Sequence, residues 1–356
     1  PAVTVVREDK NGTKASATYT PTVTAVTPTA TPAETSGVQG ATQSGKPTFT
    51  EGDSRVPMND DVPATFDDGS TTKTVEGVGT YTVAADGTVT FVPEPNFTGI
   101  APAVTVVRED KNGAKASATY TPTVNPVTLT PTNKVSEDIQ NVPQTETPTF
   151  ALSDDETAQI TSKKLIDPAT GQPTDETTVT AEGEGTYTID PTTGAVTFTP
   201  EKDFVGTATG VKVQATATIT NADGKTTTIT SDASYIPTVV AAVPTANPAT
   251  SKDIQGATQT GTPTFEGATV QVNGQDKAIT IKDNSYTLLD NDGNEVSSTP
   301  AFAEDGTTPI GTFSIDPATG TVTFTPTDKS YTGKVTPVKV QAESSNGIKV
   351  DTTYTP

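Results

Sequence analysis

The chain has 356 residues, 31 % of them hydrophobic, and a formal net charge of −21 from 22 basic and 43 acidic side chains, with no Cys, His or Trp. Without Cys and His there is no disulfide, no thiolate metal site and no catalytic triad of the usual kind. The acidic surface repels phosphate backbones and anionic lipid, and no segment approaches the roughly 20 apolar residues of a membrane helix, so nucleic acid and membrane contact are not expected.

The first 23 residues, PAVTVVREDKNGTKASATYTPTV, recur as residues 102–124 with one change, Thr13 against Ala114, at an offset of 101 residues. A fixed internal period signals a repeat architecture. Residues 1–24 therefore read as the C-terminal hairpin of a preceding, truncated repeat, with any export signal or anchor outside the segment. An isolated hairpin is marginal in water, so it is expected to be frayed or docked on a neighbour. Its identity to 102–124 also raises strand exchange into the next repeat, a hazard of tandem arrays.

Three full repeats follow, at 25–125, 126–240 and 241–356. Pro- and Thr-rich connectors at 24–32, 125–132 and 240–248 precede them and predict extended, semi-rigid links. A Pro-Thr-Phe triplet ends at Phe49, Phe150 and Phe265, spaced by 101 and 115 residues. The stretch after it varies most between repeats. A strand then reads GTYTV (79–83), GTYTI (185–189) or GTFSI (311–315). Asp86-Gly87 and the Asp-Pro-x-Thr-Gly turns at 190–194 and 316–320 are hairpin chemistry, because Pro presets φ and Gly accepts a positive one.

The return strand is VTFVP (89–93) or VTFTP (196–200 and 322–326). Phe97-Thr98-Gly99, Phe204-Val205-Gly206 and Tyr331-Thr332-Gly333 mark the next turn. Alternating strands follow, with Val104 and Val106, Val211 and Val213, or Val338 and Val340. They turn at Asn112-Gly113, Asp223-Gly224 or Asn346-Gly347 and end in Tyr120, Tyr235 or Tyr354. Pro122, Pro237 and Pro356 lie two residues beyond.

Alternation sets the faces: Tyr81 and Val83 share one side of their strand while the threonines take the other. That pattern is half-buried antiparallel sheet. Of 8 Tyr and 11 Phe, five matched positions per repeat take fifteen: Phe49, Tyr81, Phe91, Phe97 and Tyr120; Phe150, Tyr187, Phe198, Phe204 and Tyr235; Phe265, Phe313, Phe324, Tyr331 and Tyr354. Tyr19 is the counterpart in the partial copy, and Phe66, Tyr286 and Phe302 stay unassigned. Nearly all aromatics are thus expected in cores, each worth roughly 1.5–3 kcal/mol when buried. The predicted fold is all-β: tandem immunoglobulin-like β-sandwich repeats in an elongated rod, on the order of 40 Å per sandwich.

The string PTF, GTYT-V/I, D-P-x-T-G-x-V-T-F-T-P, F-x-G, V-x-V-Q-A, N-G, Y-x-P-T-V resembles the repeat of the CshA-type fibrillar adhesins of streptococci, and the likeness runs through all three units. The first unit departs from it, lacking the Leu-Ile-Asp-Pro hairpin and having the shorter Ala84-Ala85-Asp86-Gly87 turn, which predicts a smaller sheet there. The resemblance implies an extracellular protein anchored in the cell wall of a Gram-positive bacterium. Its repeats would form a fibril that carries a distal binding region. Host matrix such as fibronectin, or other microbes, would be bound by that region, outside this chain. The partners implied here are the neighbouring repeats, and no binding residue carries over.

Each candidate for site chemistry has a plainer reading. Asn59-Asp60-Asp61 with Asp67-Asp68, and Asp290-Asn291-Asp292-Gly293-Asn294-Glu295, suggest calcium, since hard cations take several oxygens. The second stretch lacks the D-x-D-x-D-G spacing and aligns with the turn at 167–171, so a turn is expected, with a weak ion site as the alternative. Lys46, replaced by Thr147 and Thr262, and Lys163 and Lys164 raise the isopeptide cross-links that surface β-domains can form, but read as exposed side chains. Asn11-Gly12-Thr13 and Asn96-Phe97-Thr98 fit a glycosylation sequon and read as a turn and a core flank. No catalytic, cofactor-binding or metal residue is assigned, and no enzyme is expected. The rival reading is that the repeats themselves bind a ligand, through Phe66, Tyr286, Phe302 and the variable first halves: self-association, a host matrix protein or a glycan.

Overall fold

A computed structural model describes residues 1–356. The chain is β-strand and turn without a helix, and the predicted sandwiches form. In the first repeat one sheet runs Gln43–Gly45, Val89–Pro93, Gly79–Val83, Thr72–Val75. The other runs Gly99–Ile100, Lys115–Asn125, Val104–Glu109, Thr65–Phe66, with Ala33–Val38 parallel to Lys115–Asn125. The second repeat has the same four-stranded sheet from Gln144–Glu146, Val196–Pro200, Gly185–Ile189 and Thr178–Ala181, and again a parallel strand, Lys134–Ile139 beside Thr226–Val240. The third repeats the plan with Gln259–Gly261, Val322–Pro326, Pro309–Ile315 and Ser298–Phe302, and with Ala249–Thr250 parallel to Lys349–Thr355.

The larger sheet of the first repeat is smaller in strand length, as expected, but not in strand number. The repeat keeps a four- and a five-stranded sheet, as the second does. The two-residue strand Thr65–Phe66 takes an edge where the second repeat has the nine-residue Ala158–Ile166. The connectors are extended, as expected, and take part in strand pairing. Thr29–Thr31 pairs antiparallel with Thr48–Thr50, and Thr245–Asn247 with Thr264–Glu266.

The chain packs as two compact units that cut across the repeats. One holds residues 1–129, 152–161 and 216–229; the other holds 130–151, 162–215 and 230–356. In the first unit the main core gathers Phe66, Tyr81, Phe91, Val104, Val106 and Tyr120, and a smaller cluster joins Val127, Ala158 and Ile219. The second unit holds a core around Tyr187, Phe198, Val213 and Tyr235, another around Leu288, Phe313, Phe324 and Tyr354, and a small cluster of Ile139, Ala242, Val272 and Ile279.

The alternation places paired rings opposite one another across the hairpin, as Tyr81 opposite Phe91 and Tyr187 opposite Phe198. Their ring centroids lie 4.5 and 4.7 Å apart. Not every matched aromatic reaches the centre. Phe49, Phe97, Phe150, Phe204, Phe265 and Tyr331 are half-buried and pack against the rims of the cores.

Glycine opens the GTYT strand because the neighbouring strand comes too close for a side chain. At Gly185 φ is +154°, and an added Cβ would sit 2.4 Å from Thr199 O and 2.8 Å from the Phe198 ring. Gly185→Ala therefore strains both backbone and core, and is expected to lower the second repeat's stability by about 1–3 kcal/mol. Denaturant unfolding checks this; an unchanged midpoint would mean the strands separate at little cost.

Residues 1–23 form a hairpin paired only with itself, in the register of its copy: Val3 opposes Tyr19 as Val104 opposes Tyr120. Its surroundings differ entirely. Val5 and Tyr19 are 59 % and 65 % exposed, while Val106 and Tyr120 are at 0 %. The hairpin docks on no neighbouring sheet here, and the first sandwich holds its own strands at 104–109 and 115–125.

Candidate functional site

The residues singled out in the sequence do not converge. Asp60 pairs with Arg108 at 2.6 Å and Asp61 with Lys111 at 2.5 Å, while Asp67 and Asp68 share Lys73. Hydrogen bonding to these lysines holds the carboxyls of Asp61 and Asp67 below the usual range. Asp290 spends its carboxylate on its own turn, accepting from the backbone nitrogens of Asp292 (3.0 Å) and Asn294 (2.8 Å). Nowhere do three acidic side chains gather as metal ligands would.

Lys46, exposed, meets Asp86 at 2.8 Å, while the half-buried Lys163 donates to Thr193 O at 2.8 Å and the half-buried Lys164 meets Asp175 at 2.7 Å. Asn11 and Asn96 are exposed. The unassigned aromatics form no exposed patch. Phe66 is 1 % exposed in the first core. Tyr286 packs on Phe265 with centroids 5.5 Å apart, and Phe302 is half-buried beside Phe313 in a 310 Å³ cleft.

One buried polar arrangement recurs in every repeat. The Tyr120 phenol reaches Thr35 Oγ1 (2.7 Å), which donates to Gln43 Oε1 (2.6 Å), and Gln43 Nε2 donates to Thr123 O (2.9 Å). Tyr235, Ser136, Gln144 and Thr238 O repeat it at 2.7, 2.5 and 2.9 Å. Tyr354, Ser251 and Gln259 repeat its first two links, both at 2.7 Å. The chain of bonds ties the last strand of each repeat to its first and satisfies a buried hydroxyl that would otherwise cost about 1–3 kcal/mol.

Burial pushes the phenols of Tyr81, Tyr120, Tyr187, Tyr235 and Tyr354 upward, with the Thr35, Ser136 and Ser251 bonds pulling partly back in three of them. An unfolded tyrosine ionises near pH 10, so above that the unfolded state sheds protons that the folded state keeps. The contribution is therefore complete below about pH 10 and lost as pH rises through the folded values. Melting temperature should hold from neutral pH to about 9 and then fall, with phenolate absorbance appearing together with unfolding. Ionisation of these five buried tyrosines before any loss of strand signal, read in a chain with Tyr19, Tyr286 and Tyr331 replaced by Phe, would contradict this.

The most elaborate sites are the joints where one repeat meets the next. In the first unit Ile219, at the tip of the second repeat, packs fully buried on Val127 and Ala158, with Leu152 and Ile229 beside it. Asn221, 6 % exposed, donates from Nδ2 to Pro93 O at 2.8 Å, and Lys225 pairs with Glu94 at 2.5 Å. Gln39 donates to Pro95 O (2.7 Å) and accepts from Val127 N (3.2 Å), holding the exit strand in place. At Gly40 φ is +84°, and an added Cβ would sit 3.1 Å from both the Ile219 side chain and Thr220 O.

In the second unit the third repeat inserts a separate hairpin, Ala268–Val272 with Gln275–Ile279. Val272 and Ile279 bury against Ile139 of the second repeat and against Ala242 in the connector that opens the third. Asn346 donates from Nδ2 to Ala242 O (3.0 Å) and, longer, to Gln140 O (3.4 Å). Asn141 Nδ2 donates to Asn346 O at 3.1 Å, Asn273 Nδ2 to Glu137 O at 3.2 Å, and Lys277 pairs with Asp138. The variable first half, which the rival reading makes a binding surface, is in the third repeat the part that plugs this joint.

Residues 25–124, 126–239 and 241–356 each match the family described as the surface adhesin CshA repetitive domain. The chain belongs to that family. Solved structures similar to it include the extracellular cadherin domains 3–6 of protocadherin gamma B2, 11 % identical with a TM-score of 0.29 over 99 % of this chain and 82 % of that one. Another is a three-immunoglobulin-domain piece of titin, 10 % identical with a TM-score of 0.30 over 93 % and 95 %. No curated protein matches.

The CshA repeats thus carry a polar signature that apolar periodicity does not reveal: Thr35-Gln39-Gln43, Ser136-Gln140-Gln144 and Ser251-Gln255-Gln259, one hydroxyl and two glutamines four apart. The outer glutamine joins the tyrosine network. The middle one donates to a carbonyl late in its own repeat: Pro95 O, Lys202 O or Ser330 O. The matched spacing is visible in the sequence. The joint asparagines are not, because Asn221 and Asn346 look like ordinary turn residues.

Proposed function

We propose that these CshA repeats are stalk modules of a fibrillar adhesin on the surface of a Gram-positive bacterium, anchored in the cell wall, and that they extend a distal region binding host matrix or other microbes. The observation that carries this reading is the treatment of the joints. Connector residues are drawn into strands, and the meeting ends are closed by buried apolar side chains and by side chain-to-carbonyl bonds. Such a joint resists bending where a solvated tether would not. Without disulfides, stiffness has to come from packing of this kind.

The ends also match one another in kind. Ile254 stands where Ile139 does, and is 80 % exposed where Ile139 is 4 % exposed against the third repeat. It presents the apolar edge that another repeat of this type would cover. The stalk role is tested by titrating the chain with itself, with fibronectin and with a glycan panel. A spacer binds none of them, whereas saturable binding to any one would make the repeats adhesive in their own right.

A further inference from the structure

Asn-Gly pairs occur at Asn11, Asn112, Asn273 and Asn346. Asparagine before glycine is open to attack by the following backbone nitrogen, because glycine has no Cβ to hinder it. The glycine nitrogen bonds to the side-chain Cγ, the bond to the carboxamide nitrogen breaks, and ammonia leaves. Water then opens the cyclic imide to aspartate or its β-linked isomer. Only water is consumed.

Asn112 and Asn346 hold the same place in the same turn: Gly113 N donates to Asp110 O and Gly347 N to Ser344 O, each at 2.9 Å. Asn112 is exposed and its carboxamide makes no bond. Asn346 is 8 % exposed. Its Nδ2 is held by Ala242 O at 3.0 Å, with Gln140 O at 3.4 Å, and its Oδ1 accepts from Ser344 Oγ at 2.5 Å. A carboxamide fixed on both sides cannot turn toward the Gly347 nitrogen.

We propose that Asn346 is a hydrolytic modification site that latches the joint between the second and third repeats. While the joint is closed, its own hydrogen bonds protect Asn346. When the joint opens, Asn346 becomes equivalent to Asn112 and converts. The product sets a carboxylate, which only accepts, against carbonyl oxygens in a buried place, so the joint does not reclose as before. Asn221, the donor at the other joint, precedes Ala222 and lacks this route. One joint is therefore reversible and the other one-way. If the stalk reading holds, tension is what opens it, but the chemistry does not depend on that reading.

The test is peptide mapping by mass spectrometry of the intact chain held in mildly alkaline buffer, with and without urea. In the native chain Asn346 should convert at least about tenfold more slowly than Asn112, and in urea the two rates should converge. Val272→Asp, in the apolar cluster of the joint and apart in sequence from Thr280, which bonds Ser345 of the turn, should raise the Asn346 rate toward that of Asn112. Asn346→Asp should speed hydrogen exchange at 268–281 and 344–348 while the third core stays protected. Equal native rates, a difference that persists in urea, or unchanged exchange in Asn346→Asp would each overturn the proposal.

Discussion

Phe198→Ala is expected to abolish the second repeat's sandwich as a stable structure. Phe198 is at 0 % exposure, 4.7 Å from the Tyr187 ring and 6.2 Å from that of Phe204. Emptying such a site costs about 3–5 kcal/mol. A domain has roughly 5–15 kcal/mol in all, and a module with few apolar residues and no cross-link sits toward the low end. Hydrogen exchange should show loss of protection at 185–189, 196–200 and 211–215. The strands at 79–83 and 89–93, closed by Tyr81 and Phe91, should keep theirs. The segment at 219–229 is the revealing one, because it packs with the first repeat's exit at Val127. It should lose protection with the second core, since its strands run on from that core. Retained protection at 196–200 would mean that the core repacks around the cavity.

Ile279→Asp is expected to open the joint in the second unit and leave the sandwiches folded. Ile279 is 3 % exposed, against Ile139, Ala242 and Val272. A carboxylate there has no cation within the cluster, and keeping it buried costs more than the apolar contacts return, so the surfaces part. The lost stabilisation is about 2–4 kcal/mol, confined to the joint. Because the chain has no Cys, dyes can be placed at cysteines introduced at the exposed positions Glu182 and Thr307. Single-molecule energy transfer should give one narrow distance in the parent and a broad one in the variant, with unchanged melting of the cores. A narrow distribution in both would show that the hairpin at 268–279 does not hold the joint.

The cores were legible because alternation leaves little choice. Tyr81, Phe91, Val104, Val106 and Tyr120 fall on one face of their strands, and a slip of one residue would expose all of them. Depth within the core was less legible: Phe49 and Phe97 share the pattern, but sit at the rim where the sandwich ends. Phe66, Tyr286 and Phe302 had no counterparts at matched positions, which made them look available, yet Phe66 is buried in its core, Tyr286 packs on Phe265, and Phe302 only lines a cleft. The joints were least legible. Ile139 and Ile254 occupy the same place in the same motif, and only the neighbour decides that one is buried and the other exposed. Asn221 and Asn346 carry two roles, closing their own turn and gripping the preceding repeat, and the sequence displays only the first.

The proposed stalk role requires that these repeats form a stiff series of folded modules. Small-angle X-ray scattering on the intact chain, followed through a thermal melt, tests it most directly. The account predicts a long particle of constant cross-section, on the order of 40 Å of length per sandwich, that collapses to a coil only as the strands melt. A broad ensemble of dimensions well below the melt would contradict it and make the repeats flexible tethers.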